Sequence, residues 1–109
     1  MSNSIEEKYK DYKFWFNWTS SEPFDPVSDS VEVRLRRQDG EEYLCEYTTP
    51  KFIAYMFEKN MRTGECAGGT YFCIPKMVIV QELSIDNVQA SIDDLIENKE
   101  VEHYFTKVD

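Results

Sequence analysis

The residues best suited to chemistry are three cysteines, Cys45, Cys66 and Cys73, a single histidine, His103, and adjacent carboxylates at Glu6-Glu7, Glu41-Glu42 and Asp93-Asp94. Cys66 sits in the glycine-rich run Gly64-Glu65-Cys66-Ala67-Gly68-Gly69. A thiol there can serve as a nucleophile only if a base touches it and a third group orients that base. His103 is the available base, but nothing in the spacing joins it to Cys66. A loop cysteine without a catalytic role is the better reading. A phosphate-binding loop is also a poor fit. The run follows a helix instead of a strand, and no Lys-Ser/Thr comes after it.

Metal chemistry lacks ligands. Three cysteines without a C-x-x-C and one histidine do not make a zinc set. Adjacent carboxylates on a helix point about 100° apart, so Asp93 and Asp94 form no acid–base dyad. The sequence therefore predicts no catalytic residue, no metal and no cofactor. One enzymatic alternative stays open, a small cysteine-dependent enzyme using Cys66.

With chemistry set aside, binding comes forward. The chain has 109 residues and a formal net charge of −9, from 21 carboxylates against 12 Lys and Arg. Nucleic-acid affinity rests on neutralising phosphates, so such a chain is not expected to bind nucleic acid. A basic protein partner is steered in instead. The run Phe14 to Trp18 alternates, so Phe14, Phe16 and Trp18 share one strand face and Trp15 takes the other. Core packing explains the first set, and an exposed Trp15 can anchor a partner. No apolar run is long enough to span a bilayer. No basic-then-apolar segment reads as a signal peptide. A cytoplasmic protein without membrane contact is expected, with its thiols reduced.

The elements that must position these residues follow in order. Residues 1–11 predict a frayed end or a short helix. Residues 20–30, SSEPFDPVSDS, form an acidic loop carrying Glu22, Asp25 and Asp29. A hairpin follows, with Val31, Val33 and Leu35 on one strand and Tyr43, Cys45 and Tyr47 on the next. A three-residue loop, Gln38-Asp39-Gly40, sets Leu35 opposite Tyr43, Val33 opposite Cys45 and Val31 opposite Tyr47. It also sets Arg36 opposite Glu42. A two-residue turn mixes apolar and charged residues on one face, and a one-residue slip reverses every side chain. Thr49-Pro50 starts a helix with the stripe Phe52, Ile53, Tyr55, Met56 and Phe57, and Gly64 ends it.

Tyr71–Ile74 and Met77–Leu83 predict a second hairpin around Pro75-Lys76, with both faces apolar and Cys73 turned inward. Ser84 caps a second helix. Its apolar face holds Ile85, Val88, Ile92, Leu95 and Ile96, and Asp86, Asp93, Asp94 and Glu97 face solvent. Val101–Phe105 adds an edge strand or a short closing turn. The class is α+β, one domain over residues 1–109. Two hairpins and an N-terminal strand build a mainly antiparallel sheet of four to five strands, covered by two helices.

Several of these signals carry a resemblance. Thr49-Pro50 opening a helix, Thr63-Gly64-Glu65, Gly68-Gly69-x-Tyr71-Phe72, Met77 to Val80 and a final helix with Leu95-Ile96 are similar to small bacterial proteins of the toxin-immunity kind. The resemblance covers Thr49 to Phe105 and brings no functional residue with it. It implies a binding protein that neutralises a basic toxin or nuclease domain. The expected contacts, chosen from charge and exposure alone, are Trp15, Glu22, Asp25, Asp29, Asp93, Asp94 and Glu97. A self-associating structural module is the other alternative.

Overall fold

The structure is a computed structural model that describes residues 12–108. The expectation for residues 1–11 lies outside the described residues. A five-stranded sheet forms the centre. Strands β1 (Tyr12–Asn17), β2 (Val31–Arg37) and β3 (Glu42–Thr48) run as an antiparallel meander. The β2–β3 register is the one patterning demands: Leu35 faces Tyr43, Val33 faces Cys45, Val31 faces Tyr47 and Arg36 faces Glu42. The Arg37 N–H donates to the Glu41 carbonyl at 2.8 Å and closes the three-residue loop. Gly40 takes the left-handed conformation there, with φ 89°.

Helix α1 spans Pro50–Thr63, with the Thr49 hydroxyl accepting the Phe52 N–H at 3.2 Å. A turn at Glu65–Gly69 follows, in which Cys66, Ala67 and Gly68 are all left-handed. Then come β4 (Met77–Ile79), α2 (Ile85–Glu97), α3 (Val101–Tyr104) and β5 (Thr106–Val108). The tail thus supplies both a closing turn and an edge strand. Strands β4 and β5 share one edge of β3. The first pairs in parallel with Glu46–Thr48, and the second antiparallel with Glu42–Leu44. The α+β class holds.

The second hairpin does not form. Residues 71–74 are not a strand, because they pack on α1, where Phe72 meets the Phe52 ring edge-on at 6.3 Å. The chain leaves the C-terminal end of β3, and α1 with its loop provides the crossover that brings Met77 back beside Glu46, so β4 enters in parallel. Cys73 is consequently exposed, not turned inward.

The core joins Val31, Val33, Leu35, Tyr43, Cys45 and Tyr47 of the sheet to Val88 and Ile92 of α2, Val101 of α3, and Phe105. The cover therefore comes from α2 and α3. Helix α1 contributes no hydrophobic residue to this core, and its one buried side chain is Asn60. Its apolar side is half-buried against its own following loop. We refer to α1 with that loop as the arm. Ile85, expected on the apolar face of α2, is exposed at the first residue after the Ser84 cap.

Candidate functional site

The acidic loop between β1 and β2 is held from several directions. Asp25 accepts the Val27 N–H at 2.9 Å and the Ser28 hydroxyl at 2.7 Å, and Asp29 accepts the Asp25 N–H at 2.7 Å. The Ser28 hydroxyl foremost, then the Val27 N–H, keeps the Asp25 carboxyl below its ordinary range. Phe24 packs edge-on to Trp18 at 5.0 Å, and the Trp18 indole donates to the Glu22 carbonyl at 2.9 Å. These contacts turn an irregular segment into a fixed one.

The Leu83 N–H then donates to the Pro26 carbonyl at 2.7 Å. That bond brings the loop against the start of α2. Asp86 and Glu97 follow eleven residues apart on one stripe of the helix, and Asp94 lies about 80° round from Asp86. At 1.5 Å per residue these carboxylates span roughly 16 Å. The structure thus sets the loop that carries Glu22 and Asp25 beside the segment of Glu82 and Asp86, with Asp94 and Glu97 further along α2; we refer to these exposed carboxylates as the acidic rim. Among the described residues, none of these is in an ion pair.

The open face of the sheet differs. Glu32 pairs with Arg34 at 2.7 Å and accepts from Asn17 at 2.9 Å, and the Arg34 bond leads in holding its carboxyl below the ordinary range. Arg36 pairs with Glu42 at 2.6 Å and stands over the Trp15 ring at 5.5 Å. The Ser30 hydroxyl donates to Glu46, and Lys107 pairs with Glu41 at 2.8 Å. Except at Glu46, whose partner is a hydroxyl, charge on this face is mostly neutralised locally. On the rim it is not.

Three of the expected contacts lie apart from the rim. Asp93 is half-buried and accepts the Tyr12 hydroxyl at 2.5 Å, so it ties β1 to α2 and does not face solvent. Trp15 is exposed as expected but lies on the open sheet face, apart from the rim. Asp29 is half-buried, with its carboxylate committed to the loop. Glu82 and Asp86 belong to the rim although sequence reasoning did not name them as contacts. Their spacing from Asp94 and Glu97 was available as a signal.

The chain matches no protein-family model, no curated protein and no solved structure. Chemistry must therefore be judged on the residues themselves. Among the described residues no hydrogen bond joins Cys66 to His103, and no group of three metal-ligating side chains is assembled. Among the described residues no helix is long and apolar enough to cross a membrane.

Cys45 is buried and donates to the Lys76 carbonyl at 3.1 Å. Burial first, then the Glu46 carboxylate, pushes its thiol up to about 12. Iodoacetamide at neutral pH is expected to label Cys73 in the native protein and to reach Cys45 only after unfolding. The shift also carries a pH dependence. Because the folded pKa is raised above the unfolded one of about 8.5, the stability is complete below about pH 8.5 and falls as pH rises toward 12. The limiting slope is about 1.4 kcal/mol per pH unit. Denaturant midpoints from pH 8 upward should decline more gently in Cys45→Ala than in the parent, and equal slopes would refute the assignment.

Proposed function

We propose that this chain is an immunity-type protein that binds a basic protein domain, of the toxin or nuclease kind, and neutralises it through the acidic rim. One observation supports the reading: among the described residues no rim carboxylate is in an ion pair, with Lys51 acting on Asp25 only through its field, whereas Glu32, Glu41 and Glu42 on the sheet side are each paired with a cation. An uncompensated acidic strip on a rigid helix raises the encounter rate with a cationic surface and selects against acidic ones. A bacterial source and a cytoplasmic site of action belong to the same reading. An enzymatic reading finds no comparable support, since among the described residues no hydrogen bond joins Cys66 to His103.

The test reverses the rim. Asp86→Lys, Asp94→Lys and Glu97→Lys together should leave the circular dichroism and melting of the protein unchanged, because all three side chains are exposed. A pull-down from the native host at low and moderate salt should return a basic partner with the parent and not with the triple variant. Measured against that partner, the association rate should fall at least about tenfold and lose its salt sensitivity. Equal capture by the triple variant would remove the rim from the mechanism. Asp93 is left intact so that the Tyr12 contact does not confuse the result.

A further inference from the structure

The arm carries a second surface, and its chemistry is the complement of the rim. Residues 50–74 hold three cations against two carboxylates, while the rest of the chain holds nine against nineteen. On α1, Lys51, Tyr55, Glu58 and Arg62 recur at spacings of four, three and four residues and share one outward stripe. Tyr55 is 53% exposed and Met61, beside the stripe, is 68% exposed. Lys59 is engaged with Glu65 at 3.5 Å; among the described residues Lys51 and Arg62 form no ion pair, although Lys51 lies near enough to Asp25 of its own chain to help hold that carboxyl down.

The rim offers the matching features in the same arrangement. Val27 is 43% exposed and Ile85 is 52% exposed. The bond from Leu83 to Pro26 sets their two segments side by side, with Asp25, Glu82 and Asp86 around them. One surface is thus apolar with cations at its edge, and the other apolar with anions at its edge. The two helices also match in length, 14 residues against 13.

We propose that the arm of one copy docks on the acidic rim of a second copy, and that the exchange is reciprocal. Arm and rim adjoin within a chain: the Thr49 hydroxyl, which caps α1, also donates to the Asp29 carbonyl at 3.5 Å. A two-fold axis beside that junction places each arm on the other copy's rim in one closed interface. Such a dimer covers the exposed Tyr55 and Met61, and it occupies the surface assigned above to a basic partner. It needs no partner to form, so it is tested with the chain alone.

Sedimentation of the full chain should show a dimer whose dissociation constant rises at least about tenfold between low and high salt, as screening predicts. Lys51→Glu with Arg62→Glu makes an acidic arm, and Asp86→Lys with Asp94→Lys makes a basic rim. Each variant alone should be monomeric with an unchanged melt, because like charges then meet. An equimolar mixture of the two should dimerise again, since both contacts in the mixed pair are complementary. A monomeric parent, a dimer untouched by rim reversal, or a mixture that stays monomeric would each overturn the proposal. Loss of partner capture with the dimer intact would instead count against the inhibitor reading alone.

Discussion

Replacing Phe105 by alanine is expected to cost about 3–5 kcal/mol, the range for deleting a fully buried phenyl ring. Phe105 is 1% exposed and meets the Tyr47 ring edge-on at 6.1 Å. Its N–H donates to the Val101 carbonyl at 2.7 Å, and its own carbonyl accepts the Lys76 ammonium at 3.4 Å. The ring therefore sits where α3, β3 and the start of β5 converge. A domain of this size has only about 5–15 kcal/mol in total. The denaturant midpoint should drop sharply, with Phe105→Leu in between. A loss below about 1 kcal/mol would mean that Phe105 is not in the core.

Gly69→Ala is expected to be the most damaging of the four possible glycine-to-alanine changes. Gly69 has φ +83°, and a Cβ there would lie 2.9 Å from the Met61 nitrogen and 3.0 Å from the Phe57 carbonyl oxygen. Both are backbone atoms of α1 and have little room to yield. The conformation costs roughly 1–2 kcal/mol for any L-residue, and overpacking adds roughly 1–3. A total of about 3 kcal/mol should fall on the turn and the end of α1. Hydrogen exchange should speed up there while the sheet amides stay protected. Gly40→Ala is the control: its φ is +89°, but nothing lies within 4 Å, so only the conformational part remains. Equal effects at the two sites would refute the close approach.

The pattern of legible and illegible elements has a physical basis. The β2–β3 register was readable because alternation and the Arg36–Glu42 pair agree on one alignment, and one residue of slip inverts both. The helix ends at Thr49-Pro50, Gly64 and Ser84 were readable because each is a local hydrogen-bond solution. The fate of Phe52, Ile53 and Met56 was not. Periodicity shows that a helix has an apolar side, but not whether a sheet or a neighbouring loop covers it. Tyr71 to Ile74 failed for the same reason, since a loop packed on a helix is as apolar as a strand, whereas the strand at Met77 formed. At the candidate site the carboxylates themselves were visible. Which of them lack a partner was not, because Asp93 meets Tyr12 across 81 positions of chain.

The order of elements has a consequence during synthesis. The three meander strands precede Thr49, yet the helix that covers their apolar face begins at Ile85. Translation at about 5–20 residues per second separates the end of β3 from the end of α2 by roughly 2–10 seconds. Through that interval Val33, Leu35 and Tyr47 have no α2 to pack against, and the outer edge of β3 waits for two three-residue strands made later. The nascent chain is therefore at its stickiest after its largest hydrogen-bonded unit is complete. A slow ribosome over the arm would lengthen that exposure, and a general chaperone would find its target in the unfinished sheet.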